Sequence, residues 1–299
     1  MKREYTEAEL PEAAALCPKA RLGVIGNPIA HSISPPMQQA ALNAEGREVT
    51  YIRLLCERQE GAFARLVNQL RREGFWGANV TVPFKKQAYA LADEADALSQ
   101  LCGAANTLVF KGERIVCHNT DGPGFAKAVQ ELCGKPLGEL RTLVVGACGG
   151  AGVALTAQCA LSGCPELTLV NRPRPELEQQ AAMLQAAMRG NGKVHALPLN
   201  DAKLAQAVNK AELIVNATSL GLAEGDMLPL APDMLKAEHV VYDLVTHDTP
   251  FKRAAEARGC KAANGQEMLL WQGALAYEHW FGSLPPVEAM RRGLAGKEA

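Results

Sequence analysis

The sequence lacks the features that mark secreted, membrane-spanning and metal-binding chains. Its 299 residues include nine cysteines, but no two of them form a Cys-x-x-Cys pair, which argues against both a zinc site and a disulfide framework. The first 20 residues are too charged to form a signal-peptide core, and no stretch of about 18 residues is continuously apolar. We therefore expect a cytoplasmic protein with no metal site and no membrane partner.

An excess of charge of either sign is also missing. The chain has 31 Lys and Arg residues against 32 Asp and Glu residues, a formal net charge of -1 at pH 7. A balanced charge gives no global electrostatic reason to bind nucleic acid or an anionic membrane. Hydrophobic residues make up 48% of the chain, as in ordinary globular proteins. The expected partner is therefore a small molecule rather than a nucleic acid.

Segments of strand length alternate with helical segments along most of the chain. The strand candidates of the first half are RLGVIG, VTYIRLL and GANVT, and the pair ANTLVF and RIVCHN predicts a β-hairpin. The later segments RTLVVGA, ELTLVN, AELIVNA and HVVYDLV are apolar throughout. Strands of that kind, joined by helices, indicate a doubly wound parallel sheet with both faces covered. The predicted fold class is α/β.

The length of 299 residues favours two domains, with one large domain as the alternative. The alternating pattern breaks at NTDGPG, so we place a boundary at residues 121–124. The segment from residue 264 onwards is helical and rich in large apolar side chains. The pattern alone allows this segment to pack on either domain.

A glycine-rich loop, VVGACGGAG, directly follows one strand of the second half and opens a helix. A dinucleotide pyrophosphate binds at such a place, against the free backbone N–H groups of a helix N-terminus. The spacing differs from Gly-x-Gly-x-x-Gly, however, and a tight strand-to-helix turn would leave the same pattern. The loop therefore predicts nucleotide binding without excluding a purely structural role.

The next strand ends in NRPRP, where a dinucleotide fold meets the adenosine ribose. An acidic side chain there would favour NAD, and none is present. Arg172 and Arg174 instead offer guanidinium groups suited to a 2′-phosphate, which favours NADP. Two solvated loop arginines remain the alternative.

Polar side chains collect at strand ends in the first half. Ser32 and Ser34 stand just before a helix that begins with proline. Hydroxyl and N–H groups at such a place can hold a carboxylate. It is an equal alternative that one of the serines only caps the helix. Each of the other groups taken alone fits ordinary turn chemistry. Together they suit a polyhydroxylated acid and, with the nucleotide loop, hydride transfer to a carbonyl whose oxygen a lysine stabilises. These groups are Asn79, Thr81, Lys85, Asn106 and Asp121.

With these motifs in order, the sequence resembles the shikimate dehydrogenase family, which includes quinate/shikimate dehydrogenases, over residues 21–285. The shared motifs are GNPIAHSISP, NVTVPFK, GAANT, NTDG, the glycine loop, VNR, NATSLG and NGQEMLLWQGA. The resemblance implies a substrate-binding catalytic domain of residues 1–121 and 265–299, which the C-terminal helices complete. It implies a Rossmann-like NAD(P)-binding domain of residues 122–264.

The activity implied by the resemblance is the reversible NADP-dependent reduction of 3-dehydroshikimate to shikimate, in the pathway of aromatic amino-acid biosynthesis. Lys85 and Asp121 would be the catalytic pair: the Lys85 ammonium donates to the carbonyl oxygen, and Asp121 orients that ammonium. Ser32 and Ser34 would bind the substrate carboxylate. The substrate hydroxyls would be held by Asn79, Thr81, Asn106, Asp121 and Gln272.

The same resemblance implies the cofactor contacts. They lie in the glycine loop, at the end of the following strand, in NATSLG and near the nicotinamide. The residues are Ala147, Cys148, Gly149, Gly150, Asn171, Arg172, Arg174, Thr218, Ser219, Gly265 and Met268. Apart from the resemblance, Thr218 is as readily a structural hydroxyl at a strand end.

The sequence departs from the family pattern at three places. Cys148 is an extra residue in the glycine loop, Pro173 replaces a threonine after the NR pair, and Thr246 stands where a tyrosine normally approaches substrate. These departures keep open a preference for quinate, aminoshikimate or a related cyclitol acid, and the use of NAD. A non-catalytic ligand sensor is the alternative of another class, against which the presence of both Lys85 and Asp121 counts. We expect a monomer or a homodimer.

Overall fold

The computed structural model describes residues 4–221 and 225–296 of the chain. Its residue contacts divide into two compact units, one of residues 1–120 and 272–299 and the other of residues 121–271. The assignment of residues 1–121 and 265–299 to substrate and of residues 122–264 to the cofactor stays a prediction.

The first unit is built on a six-stranded sheet of order β2-β1-β3-β5-β6-β4. β1 is parallel to β2 and β3, whereas β5 runs antiparallel to β3 and β6, which confirms the predicted hairpin. The strands are β1 (Ala20–Gly26), β2 (Thr50–Leu55), β3 (Gly77–Val80), β4 (Glu94–Ala95), β5 (Thr107–Lys111) and β6 (Arg114–His118). The helices that precede residue 121 are α1 (Leu10–Ala14), α2 (Ser34–Ala44), α3 (Ala62–Arg72), α4 (Lys85–Leu91) and α5 (Ala97–Cys102).

A core of large apolar side chains anchors this sheet. Phe63 of α3 stacks on Phe84, which precedes α4, with ring centroids 5.5 Å apart. At the outer edge, β2 is partly covered because Tyr5 pairs with it: the Leu55 N–H donates to the Tyr5 carbonyl at 2.8 Å. Pairing of this kind satisfies backbone groups that an open edge would expose. This pairing therefore covers part of the edge formed by β2.

The second unit contains a fully parallel six-stranded sheet of order β12-β11-β10-β7-β8-β9. Counted from β7, this is the order 3-2-1-4-5-6 of dinucleotide-binding folds, and it confirms the predicted doubly wound sheet. The strands are β7 (Thr142–Val145), β8 (Glu166–Asn171), β9 (Lys193–Pro198), β10 (Leu213–Asn216), β11 (Val240–Asp243) and β12 (Lys261–Ala263). The remaining helices are α6 (Asp121–Cys133), α7 (Gly150–Ser162), α8 (Pro175–Ala187), α9 (Leu204–Lys210), α10 (Pro250–Ala257), α11 (Gln266–Phe281) and α12 (Val287–Leu294).

The order of this sheet locates its ligand edge. The connections reverse direction between β7 and β10, and ligands of such sheets bind at the carboxyl ends of the strands beside that reversal. The glycine loop follows β7, and NATSLG begins at the end of β10. Both predicted cofactor segments therefore lie at the reversal point. Over residues 4–221 and 225–296, no helix is both long and apolar enough to cross a bilayer.

A substitution of Phe251, in the first turn of α10, tests how the core of the second unit is packed. Its side chain is fully buried among apolar residues that include Leu235 and Val241. We expect Phe251→Ala to lower the free energy of unfolding by about 3–5 kcal/mol, because it leaves a cavity that the rigid sheet cannot fill. Urea denaturation measures the change. The control is Met227→Ala, since Met227 is 79% exposed and its truncation should cost less than about 0.5 kcal/mol; equal losses in the two variants would contradict this packing.

Candidate active site

The two serines of the first unit lie where β1 turns into α2. Ser34 is the first residue of α2, and its N–H donates a long 3.4 Å bond to the Ser32 Oγ. The Arg53 guanidinium holds this turn, donating to the Ser32 carbonyl oxygen at 2.7 and 3.1 Å. Ile33, not a serine, occupies the position before the helix. The two half-buried hydroxyls thus lie beside an N-terminus and an arginine, surroundings that suit a carboxylate.

Thr81 and Lys85 lie in the turn that joins β3 to α4. The Thr81 N–H donates to the Ile25 carbonyl at 2.9 Å, and the Thr81 carbonyl accepts from the Phe84 N–H at 3.0 Å. Lys85 is the first residue of α4, and its carbonyl accepts from the Ala105 N–H at 2.9 Å. Because backbone bonds fix both ends of the turn, the half-buried Thr81 and Lys85 are held at the carboxyl edge of β3.

Asn79, near the end of β3, is held by three protein groups. Its Oδ1 accepts from the Tyr51 hydroxyl at 2.7 Å, and its Nδ2 donates to the Asn106 carbonyl at 3.3 Å and to the Thr107 Oγ1 at 3.2 Å. Burial raises the pKa of Tyr51 far above its ordinary value, so this phenol is a hydrogen-bond donor at neutral pH. Tyr51 was not among the residues predicted from the sequence.

Asn106, just before β5, connects this cluster to α11. Its Oδ1 accepts from the Thr120 N–H at 2.8 Å, and its Nδ2 lies 3.4 Å from the Gln272 Oε1. Three predicted substrate residues, Asn79, Asn106 and Gln272, thus meet in one hydrogen-bonded cluster within the first unit. Asp121 follows Thr120 directly, opens α6 and is 7% exposed. Its pairing with Lys85 stays a prediction.

The glycine loop of the second unit makes a compact turn despite its extra cysteine. The Gly146 and Ala147 N–H groups both donate to the Val170 carbonyl, at 2.8 and 3.3 Å, and the Gly149 N–H donates to the Gly146 carbonyl at 2.9 Å. The buried Gln180 side chain donates to the Ala147 carbonyl at 3.0 Å. The half-buried Cys148 lies within this turn, and α7 begins two residues later, at Gly150. The loop therefore still leads into a helix N-terminus of the kind that holds a pyrophosphate.

The end of β8 carries the polar side chain of Asn171. The Asn171 Oδ1 accepts from the Arg172 N–H at 3.0 Å, while the buried Asn171 Nδ2 bonds to no group of residues 4–221 or 225–296. Arg172 is exposed, and the exposed Arg174 pairs with Glu176 at 3.1 Å. A buried Asn171 donor followed in sequence by two exposed arginines fits the ribose and 2′-phosphate end of NADP.

The NATSLG segment satisfies most of its own polar groups. The Asn216 Oδ1 accepts from both the N–H and the hydroxyl of Thr218, at 3.0 and 2.6 Å, and the Thr218 hydroxyl accepts from the Leu220 N–H at 3.1 Å. Ser219 is exposed. The role of Thr218 in this structure is therefore to shape the turn, and its predicted cofactor contact stays a prediction.

The last two predicted cofactor residues lie where β12 leads into α11. Gly265 is buried, and its N–H donates to the Val245 carbonyl at 3.0 Å; the buried Met268 donates its N–H to the Tyr242 hydroxyl at 3.1 Å. Thr246 is half-buried in the segment after β11. Throughout the described part of the chain, no group of three or more His, Cys, Asp or Glu residues could hold a metal ion.

The glycine loop offers a matched pair of variants. A Cβ at Gly152 would lie 2.2 Å from the Gly146 carbonyl oxygen, whereas a Cβ at Gly150 would meet no atom within 4 Å. We expect Gly152→Ala to lower the free energy of unfolding by about 1–3 kcal/mol, because the loop and α7 must separate. Gly150→Ala should retain stability to within about 0.5 kcal/mol. Chemical denaturation of both variants measures this, and equal stabilities would contradict the loop path described here.

Two family models match parts of this chain. Residues 24–108 match the family model "Shikimate dehydrogenase substrate binding domain", and residues 265–293 match "Shikimate 5'-dehydrogenase C-terminal domain". A shikimate dehydrogenase (NADP(+)) of Moorella thermoacetica is 37% identical over 276 residues, 91% of each chain.

Solved structures are similar over nearly the whole chain. A Listeria monocytogenes shikimate 5-dehydrogenase in complex with shikimate and NAD has a TM-score of 0.83 and 30% identity, covering 91% of this chain and 96% of that one. A Corynebacterium glutamicum quinate dehydrogenase in complex with NAD has a TM-score of 0.82 and 27% identity, covering 92% and 98%. The resemblance inferred from the motifs is thereby confirmed, and the chain belongs to the shikimate dehydrogenase family.

Proposed function

We propose that this chain catalyses the reversible NADP-dependent reduction of 3-dehydroshikimate to shikimate, a reaction of aromatic amino-acid biosynthesis. The observation that carries the proposal is the cluster at the strand ends of the first unit, where Asn79, Asn106 and Gln272 form one hydrogen-bonded group. Amides in such a cluster can bind several hydroxyl groups of a small acid at fixed positions. The named relatives of the family supply the reaction class that matches this lining.

The residues of the first unit would bind and orient the substrate. Ser32 and Ser34 would hold the carboxylate, supported by the α2 N-terminus and by Arg53 behind the turn. Thr81, Asn106 and Gln272 would hold substrate hydroxyls. Asn79 would do so through a second lone pair of its Oδ1, because its two N–H groups already point at protein acceptors.

Lys85 and Asp121 would perform the proton chemistry. As the carbonyl is reduced, negative charge develops on its oxygen, and the Lys85 ammonium would donate a proton to that oxygen. The Asp121 carboxylate would orient the ammonium and keep it charged. NADPH supplies the hydride when it is bound.

The residues of the second unit would bind the cofactor. The pyrophosphate would lie against the loop of Ala147 to Gly150 and the α7 N-terminus, the ribose near Asn171, and the nicotinamide near Gly265 and Met268. Arg172 would contact the 2′-phosphate. Arg174 would contact the same phosphate only after its ion pair with Glu176 is broken. Breaking that pair costs little free energy because both side chains are exposed.

A related cyclitol acid is the second candidate for the substrate. Thr246 has no aromatic hydroxyl where the family pattern places a tyrosine, which favours a wider choice among shikimate, quinate and aminoshikimate. The same proposal includes a substrate domain of residues 1–121 and 265–299 and a cofactor domain of residues 122–264. It also includes a monomer or homodimer and a cytoplasmic location.

The experiment that tests the activity follows the reduction of NADP⁺ and of NAD⁺ with shikimate, quinate and aminoshikimate. We expect shikimate with NADP⁺ to give the highest kcat/KM.

Lys85→Ala should lower kcat at least about 100-fold with little change in KM for shikimate, since it removes a proton donor rather than a binding group. Lys86→Ala, which changes the exposed neighbouring lysine, is the control. Near-normal turnover of Lys85→Ala would refute its catalytic role, and an inactive wild type would leave the ligand sensor as the better explanation.

Arg172→Ala tests the choice of cofactor. We expect the ratio of kcat/KM for NADPH to that for NADH to fall about tenfold or more, because one charge-assisted contact to the 2′-phosphate is lost. Steady-state rates with 3-dehydroshikimate give the ratio, and Arg174→Ala, run in parallel, should change it less. An unchanged ratio in Arg172→Ala would remove Arg172 from the 2′-phosphate site.

A further inference from the structure

We propose that Thr107 and Tyr51 are positioning residues for the substrate, because their hydroxyls hold the amides of Asn106 and Asn79 in the orientations that main-chain groups define. The inference rests on the proposed function and deepens it. Neither residue belongs to the set that the family motifs imply as a ligand, and both are buried: Thr107 is 0% and Tyr51 is 1% exposed. Their hydroxyls act on substrate only through the two asparagines.

The direction of the Asn106 amide is set by the backbone. A backbone N–H can only donate, so the Asn106 atom that lies 2.8 Å from the Thr120 N–H must be the oxygen Oδ1. The nitrogen Nδ2 then faces the Gln272 Oε1 at 3.4 Å and the Thr120 Oγ1 at 3.0 Å. A flipped Asn106 amide would place its oxygen against the Gln272 Oε1 and its nitrogen against the Thr120 N–H, which is itself a donor. Both N–H groups of Asn106 thus have protein acceptors, and a substrate hydroxyl oxygen can accept from Asn106 only by replacing the longer of these bonds, the one to Gln272.

The direction of the Asn79 amide is set by a backbone group of the opposite kind. The Asn106 carbonyl can only accept, so the Asn79 atom that lies 3.3 Å from it must be Nδ2. The Asn79 Oδ1 then faces the Tyr51 hydroxyl at 2.7 Å, which must be the donor. Both asparagine orientations thus follow from main-chain groups that have no alternative role.

The Thr107 hydroxyl joins the two amides. Thr107 is the cross-strand neighbour of Asn79 in the antiparallel pair of β3 and β5. Its Oγ1 accepts from the Asn79 Nδ2 at 3.2 Å and donates to the Asn106 Oδ1 at 3.1 Å. A hydroxyl can accept and donate at once, whereas a valine of the same shape can do neither. Loss of this hydroxyl leaves the buried Asn79 Nδ2 with one acceptor fewer and removes one of the donors that hold the Asn106 Oδ1.

The test compares Thr107→Val, which removes the hydroxyl, with Thr107→Ser, which keeps it. We expect Thr107→Val to weaken shikimate binding and to lower kcat/KM for shikimate by about 5- to 100-fold, the range for a buried donor that loses its partner. The KM for NADP⁺ should stay within about threefold of the wild type, and Thr107→Ser should recover most of the loss. Calorimetric titration with shikimate in the absence of cofactor gives a second readout that does not depend on turnover.

Tyr51→Phe provides an independent variant, because it removes only the donor to Asn79. It should also raise the Kd for shikimate, and the double variant with Thr107→Val should lose less than the product of the two single effects, since both act on one network.

A purely structural role would overturn the inference, and it has a clear signature. Thr107→Val would then lower the melting temperature but leave the Kd and the kcat/KM for shikimate of the folded enzyme unchanged. Failure of both Thr107→Val and Tyr51→Phe to fold would likewise assign the two hydroxyls to stability and overturn the proposal. Failure of the proposed function itself looks different, because the wild type would neither bind nor oxidise shikimate.

Discussion

The hydrogen bond from the Thr120 N–H to the Asn106 Oδ1 sets the polarity of the cluster at the strand ends of the first unit. Main-chain groups have fixed roles as donors or acceptors, whereas side-chain amides and hydroxyls can reverse theirs. Once Asn106 is oriented, Thr107 must donate to it, and Asn79 must donate to Thr107. The Thr120 N–H and the Asn106 carbonyl thus determine which side-chain atoms remain to meet a ligand, and they do so before any ligand arrives. Such preorganisation lowers the entropic cost of binding.

Burial stabilises these donor and acceptor roles within the cluster. The amides of Asn79 and Asn106 and the hydroxyls of Tyr51, Thr107 and Thr120 belong to buried side chains, so an unpaired group there would cost about 1–3 kcal/mol. Each reversal within the network would create such a group, and the native arrangement is therefore strongly preferred over its alternatives. The cost is that every member must be polar, which explains why Asn79 interrupts the otherwise apolar strand β3.

The sequence predicted the α/β class, the doubly wound sheet and the hairpin, because long apolar strands, glycine turns and helical spacing are local signals. It also predicted the polar strand ends, since Asn79 and Asn106 interrupt apolar runs. It missed Tyr51, Arg53 and Thr107, whose types are ordinary in β-strands and whose importance arises only from what pairs with them across the sheet. The two-residue strand β4 was missed as well, because its segment EA has no strand pattern of its own.

In the second unit a main-chain N–H also orients a buried asparagine, but there the asparagine keeps no donor for a ligand. At the end of β10 the Thr218 N–H fixes the Asn216 Oδ1, and the Asn216 Nδ2 is then used up by the Asp243 Oδ1 at 3.0 Å and the Leu220 carbonyl at 3.3 Å. Burial raises the pKa of Asp243, although three donors from the protein oppose that shift. No donor of Asn216 remains for a ligand, and the Thr218 hydroxyl already donates to Asn216. Thr218 can therefore meet a cofactor only as an acceptor, so a contact there requires a donor on the cofactor, such as the carboxamide N–H of a nicotinamide or a ribose hydroxyl, and not a phosphate oxygen.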